Sequence, residues 1–223
     1  MVRAVTGTGY GMFRQRVLLT FSVKGDIRFI SHHDMMRVLE RAVRRAGLPV
    51  ASSQGFNPRP RIAILQARGV GVSSEAECVE IDFDDWLGPE AVRQCLNSQL
   101  PTGLEVLRVA LTNPRKHARV TRMTYRVDFI GGIPFGPEDV RRLLDGPEIL
   151  VERQRKGKTK NVDLRPVVGQ VRLTDGSLVV EFAVADQGSA RPEEILQVLG
   201  MTSEDIRSQC TITRTDMTLE DSP

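Results

Sequence analysis

Aromatic side chains are scarce in this chain: eight Phe, two Tyr and one Trp make up 5% of 223 residues. Trp86 and the two tyrosines fall outside the stretches where positive charge gathers, so base-stacking platforms of the usual aromatic kind are not evident. Cysteine is nearly absent as well. Cys78, Cys95 and Cys210 are odd in number and far apart, without the close Cys-Cys or Cys-His spacing of a disulfide scaffold, a zinc site or an iron–sulfur cluster. That usage predicts a reducing, cytoplasmic setting. No apolar run approaches the roughly 18 residues of a membrane helix, and no membrane partner is expected. The chain has no GxGxxG, Walker lysine loop, GxSxG or HExxH, so the common nucleotide, hydrolase and zinc-protease readings lack support. Gly69-Val70-Gly71-Val72 lacks a third glycine and a following helix. Residues 1–13 have neither a signal-peptide core nor helix periodicity and read as a flexible leader, with Met12 as an alternative start.

What is present is ordinary in bulk and uneven in distribution. Hydrophobic residues make up 40% and charged residues 26%, enough core for one large domain or, as we prefer, two of roughly 100 residues. The net charge is only +3, with an isoelectric point near 9.0, but the positive charge is clumped. Arg37, Arg41, Arg44 and Arg45 form one group. Arg115, Lys116, Arg119 and Arg122 form a second, and Arg153, Arg155, Lys156, Lys158 and Lys160 a third. Clumps of this kind suit a phosphate backbone, with counterion release as the driving force.

Alternation at Val17, Leu19, Phe21 and Val23 predicts a half-buried strand, continued by Ile27 and Phe29. A helix follows from His32. Strands are then expected at Ile62 and Ile64 and at Val79, Ile81 and Phe83, the latter with Glu80, Asp82 and Asp84 on its outer face. A proline-started helix runs from Pro89 through Leu96, and a strand from Leu104 to Leu111. The second part repeats the pattern: a strand at Tyr125, Val127 and Phe129, a helix from Pro137, and a strand near Ile149 to Arg153. After a long basic excursion come a strand from Leu178 to Val184, a helix from Pro192 to Leu199 and a closing strand from about Arg207 to Thr215. GPEAVRQCL, GPEDVRRLL and RPEEILQVL share one helix-start chemistry. The expected fold class is α+β, with two tandem ferredoxin-like βαββαβ units, each an antiparallel sheet with helices on one face. The first unit spans 14–112, a basic linker 113–122, the second unit 123–217 and a tail 218–223.

The segment from Ser31 to Pro60 is the most informative. Ser31 and Asp34 form a helix start. Met35, Met36, Leu39, Ala42, Val43 and Ala46 make one face apolar, the arginines gather on the other, and Gly47 and Pro49 end the helix. Charge rows on helices are usually solvated surface, yet four arginines with only Glu40 to offset them favour an anion-facing one. In SSQGFNPRPR, Pro58 and Pro60 fix their own φ and hold Asn57 and Arg59 extended. Gln54, Asn57, Arg59 and Arg61 are therefore presented by a stiff loop with little entropy left to lose, either for recognition or simply to set strand register.

His32 and His33 are neighbouring imidazoles at a helix start. Adjacent positions point apart, so they do not make a zinc pair, and no metal site is identified. His32 is a candidate for proton transfer, although capping or packing is the commoner role. In RKGKTKNVDLRP, Lys158 and Lys160 read as a hairpin tip, while Asp163 and Arg165 share one side of an extended segment and Val162 and Leu164 the other.

The run KGDIRFISHHDMMRVLERAVRRAGLPVASSQGFNPRPRI, with the later KTK and VDLRP, resembles the radical SAM-linked domain of unknown function, from about Arg14 to Thr215. The resemblance implies a domain fused to, or encoded near, a B12-binding radical SAM enzyme, with no established activity of its own. It carries over to Ser31, His32, Asp34, Arg37, Gln54, Gly55, Phe56, Asn57, Pro58, Asp163, Arg165 and Pro166. His33 stands where leucine is expected and Arg59 where histidine is frequent. With no CxxxCxxC the chain is expected to bind no cofactor; SAM, the iron–sulfur cluster and cobalamin are implied for the partner enzyme alone. The expectation is a non-catalytic accessory domain that recognises RNA, such as tRNA or rRNA, for that partner. His32, Asp34, Arg37, Arg41, Gln54, Asn57, Arg59, Arg61, Lys158, Lys160, Asp163 and Arg165 are its candidate ligand-binding residues. Alternatives are a metal-independent RNA endonuclease with His32 as general base, and a protein-only scaffold for the partner.

Overall fold

The structure, a computed structural model, describes residues 15–155, 157–185 and 190–220; the leader expected at 1–13 lies outside them. It is a mixed α+β fold. In order come β1 (Gln15–Val23), a 3-10 turn (Gly25–Phe29), α1 (His32–Arg45), β2 (Ile62–Ile64), β3 (Ser73–Phe83), α2 (Pro89–Asn97) and β4 (Leu104–Thr112). There follow β5 (Val120–Phe129), α3 (Pro137–Asp145), β6 (Leu150–Arg155), β7 (Lys158–Asp163), β8 (Val168–Thr174), β9 (Ser177–Ala183), α4 (Pro192–Val198), α5 (Ser203–Gln209) and β10 (Cys210–Leu219). No helix is long and apolar enough to cross a membrane among the described residues.

The main sheet runs β4-β1-β3-β10-β5-β9-β8, with β2 paired to part of β3. β1 lies antiparallel to both β3 and β4, and β2 is antiparallel to β3. In the second half β5 lies antiparallel to β10 and β9, and β8 antiparallel to β9. The halves do not keep separate sheets as expected. Thr213 and Arg214 of β10 pair in parallel with Ser73 and Ser74 of β3, which makes the sheet continuous.

Two apolar clusters fill the halves. Val17, Leu19, Phe21 and Val23 of β1 and Val79, Ile81 and Phe83 of β3 meet Met35, Leu39 and Val43 of α1 and Val92 and Leu96 of α2. Met123, Tyr125 and Val127 of β5 and Leu178, Val180 and Phe182 of β9 meet Val140 and Leu143 of α3 and Ile195 and Leu196 of α4. Alternation on strands against a 3.6-residue period on helices produces both cores.

Four expectations are corrected. Ile27 and Phe29 do not extend β1, because Gly25, at φ +65°, turns the chain into the 3-10 segment. The strand near Ile149 is not in the main sheet. It is β6, which forms a separate hairpin with β7, Leu150 opposite Asp163 and Arg155 opposite Lys158; β8 takes the edge of the sheet instead. The closing strand begins only at Cys210, since Thr202 and Asp205 cap a helix over residues expected to be extended. Finally, Glu80 and Asp82 are buried rather than outward-facing.

Candidate functional site

Strand direction divides the molecule into two ends. β1 starts beside Phe83 and finishes beside Ser74, so the start of β1 and the end of β3 mark one end, called lower here. α1 then begins at the upper end and finishes at the lower, followed by the loop 50–61 that leads into β2. Because β10 is parallel to β3 and antiparallel to β5, the second half has the same polarity. α3 therefore also descends, and the β6–β7 hairpin lies at the lower end, between α3 and β8. The segment 113–119 joins β4 to β5 at that end as well. Three segments far apart in sequence thus share one rim.

The rim is held by buried charge. Asp82 sits near the end of β3 and accepts Arg16 Nε at 2.6 Å and Arg16 Nη2 at 3.0 Å, while Arg61 Nε lies 3.0 Å from Asp82 Oδ2. The same residue anchors the loop through its main chain: Ala51 N donates to Asp82 O and Asp82 N to Arg61 O. Further out, Ser53 N donates to Arg59 O, and Arg59 N donates to Ser53 Oγ at 3.0 Å. The loop is therefore a clamped, hairpin-like projection whose tip carries Gln54, Gly55 at φ +152°, Phe56 and Asn57. Phe56 is 103% exposed, a position no packing argument explains. Glu80, two residues before Asp82 and nearer the middle of β3, accepts Ala118 N at 2.7 Å and contacts His117 Nδ1 at 2.5 Å. Lys116 O accepts Arg16 Nη1. The linker is thus docked by its backbone and His117, leaving Arg115 and Lys116 exposed. The Asp82 hydrogen bond raises the pKa of Arg16 against the opposing effect of desolvation.

The hairpin is built differently. Ile149 is buried, and Val151 and Leu164 pack into the second core, while Arg153 binds Glu194 of α4 at 2.7 Å. Asp163 accepts the main-chain N–H of Ile149 at 2.8 Å and of Arg165 at 2.9 Å, and these bonds lower its carboxyl pKa. Its role in the fold is to close the hairpin base. Lys158 and Lys160 are exposed on β7. Arg59-Pro60 ends two residues before β2, and Arg165-Pro166 ends two residues before β8, each with the arginine N–H bound by a nearby side-chain oxygen. Counting along the sheet from β3 to β8 gives four strand spacings, about 19 Å between the two projections.

The α1 residues are spread along its length. Ser31 caps the helix at Asp34 N and donates to Asp34 Oδ2 at 2.7 Å; this bond first, then Arg37, keeps the Asp34 carboxyl below its usual pKa. Arg37 is engaged by Asp34 at 3.1 Å and Arg45 by Gln99, whereas Arg41 and Arg44 are exposed with no ion pair among the described residues. His32 stands at the upper end of this 14-residue helix, about 20 Å from its lower end. There it borders a depression with Ser31, Met35, Ile64, Arg68 and Glu77.

A model of the DUF2344 family, described as uncharacterized proteins conserved in bacteria, matches residues 16–193. The chain belongs to the DUF2344 family. No curated protein matches it. The DUF2344 match covers α1, both lower projections and the linker, and stops within α4, so β10 lies beyond it. That uncovered strand supplies Arg214, 1% exposed, which sequence reading missed. Arg214 binds Glu77 Oε1 at 2.9 Å, the Tyr125 hydroxyl at 3.0 Å and the carbonyl of Ala67 at 3.1 Å. This network pins β3 to β10 and β5 at the junction of the halves. Glu77, Glu80 and Asp82 are acidic on a strand with core residues between them, and that density of charge was the available signal.

Proposed function

We propose that this chain is a non-catalytic accessory domain whose lower rim recognises RNA on behalf of a separate B12-dependent radical SAM modification enzyme. The supporting observation is the gathering at one end of three basic segments that lack sequence proximity. Arg41, Arg44, Arg59, Arg115, Lys116, Lys158 and Lys160 are exposed and carry no ion pair among the described residues. Phosphate contacts by such groups position a nucleic acid, while Gln54 and Asn57 at the loop tip supply directional hydrogen bonds. We read each half as a ferredoxin-like unit, supported by the orders β4-β1-β3-β2 and β10-β5-β9-β8, with the β6–β7 hairpin as an insertion in the second. The partner enzyme and its cofactors rest on the resemblance of the SHHD and SQGFNPRP segments. The cleavage alternative needs His32 beside the bound strand, and the length of α1 that separates it from the rim favours the accessory reading.

The test is retention of bulk tRNA by the full chain between 50 and 200 mM salt. With six or more phosphate contacts, affinity falls by roughly a thousandfold over that range. The double change Arg41→Glu and Arg44→Glu flattens the salt slope and removes most binding. An affinity indifferent to salt defeats the proposal, and capture of the radical SAM enzyme by nuclease-treated protein alone would favour the scaffold alternative.

A further inference from the structure

The scarcity of aromatics conceals their placement. Trp86 follows the end of β3 by three residues and is 66% exposed, and Phe56 projects from the loop clamped to Asp82. Both belong to the lower rim. Neither belongs to an apolar cluster; Gln54, Asn57 and Arg59 flank Phe56 in the loop, and the docked linker with Arg115 and Lys116 meets the same end of the sheet. Chain lengths set the spacing: Trp86 is four residues from Asp82, a reach of at most about 14 Å, and Phe56 is five residues from its anchor at Arg61, at most about 18 Å. A nucleic-acid segment of a few nucleotides spans both.

We infer that Phe56 and Trp86 form a pair of stacking platforms for unpaired bases, so that the ligand of the rim is single-stranded RNA, or the unpaired loop of a folded one, rather than duplex. This rests on the RNA-recognition reading and narrows it. The physical reasons are three. A fully exposed aromatic ring gains by covering its faces, and every base offers a flat partner without demanding a sequence. In an A-form duplex the bases are stacked inside and the deep major groove excludes side chains, so neither ring would find a face. The surrounding cations answer the phosphates of the strand whose bases stack, and Asp84 and Asp85, which precede Trp86, disfavour phosphate at that point and leave the base, not the backbone, facing the indole.

Trp86 is the one tryptophan of the chain, so intrinsic fluorescence reports on this site alone. The full chain is titrated with a twelve-nucleotide oligouridylate and with a duplex of equal length at low salt. The expected result is quenching by the single strand and at least tenfold weaker binding of the duplex. Phe56→Ala lowers single-strand affinity about tenfold, and Phe56→Tyr restores it; an exposed loop tip makes both variants safe for folding. Equal, salt-sensitive binding of both RNAs without quenching, and without an effect of Phe56→Ala, overturns the stacking inference but leaves the RNA-binding rim standing. Failure to bind either RNA overturns both and transfers the rim to an acidic protein surface.

Discussion

The loop 50–61 and the hairpin 149–166 occupy the same place in their halves, after the first helix and before the second strand, yet they are stabilised by opposite means. The first has little ladder of its own and is clamped through Asp82 to β3, Arg16 and Arg61. The second carries its own six-residue strands and inserts Val151 and Leu164 into the core. A projection can therefore be stiff because charge ties its base down or because apolar residues root it. The first solution leaves every tip residue available to solvent; the second uses Ile149, Val151, Arg153 and Leu164 for attachment and leaves most of β7 exposed.

The largest disruption of the comparison comes from the place where the halves join. Arg214→Ala leaves Glu77 buried without its partner and is expected to cost about 3–5 kcal/mol in denaturant unfolding, whereas Arg214→Met paired with Glu77→Leu is expected to recover most of it. Recovery by the apolar pair would show the network sets specificity of the junction rather than its strength.

A smaller effect separates the two projections. Asp82→Asn removes the charge shared by Arg16 and Arg61 and is expected to cost about 1.5–3 kcal/mol, with faster hydrogen exchange at Ala51 and Arg61 and unchanged exchange in β6 and β7. Asp163→Asn should do the converse, with a smaller drop in thermal midpoint because its carboxylate is solvent-exposed. Acid probes the hairpin base. The Asp163 pKa is lowered in the folded state, so its contribution is present above the ordinary carboxylate range and disappears as pH falls through the lowered value. Opening of the hairpin base at neutral pH in wild type would contradict this account.

The smallest readout is thiol reactivity. Burial pushes the Cys78 thiol up to about 11 and desolvation does the same for Cys210, so at pH 8 Cys95, half-exposed on α2, is expected to be alkylated first. Labelling of Cys78 ahead of it would mean that β3 opens more readily than its burial implies.

Much of this architecture was legible beforehand, in specific places. Ser31 with Asp34 marked the start of α1, Gly47 its end, and the three Pro-Glu openings marked α2, α3 and α4. Each is a local signal, since a cap or a fixed φ acts over a few residues. The hairpin partner β7 and the edge strand β8 were missed because KTKNVD and VGQVRLT alternate weakly, and their strandness comes from pairing across the chain. α5 was missed for the opposite reason: its seven residues include one buried apolar position, Ile206, too few for a period. At the candidate site, Gln54, Asn57 and Arg59 were read from proline stiffness, while Asp82 and Arg214 were invisible because an ionisable residue in a strand looks outward-facing until its partner is known. That Phe56 and Trp86, 30 positions apart, are both exposed at the same end of the sheet was not legible in the sequence, because it follows from strand direction.

What the amino-acid sequence determined by itself were the starts of α1 to α4, two alternating cores and three clumps of positive charge, all set by short-range chemistry. Only the tertiary structure decided which end of the sheet each clump occupies, because that follows from the direction of β10 against β3, a pairing of residues about 140 apart in the chain. Within the first half, the antiparallel pairing of β1 with β3 and the length of α1 put His32 at one end and the proline-rich loop at the other, although they are neighbours in sequence, since a rigid helix between two segments separates them as firmly as it connects them.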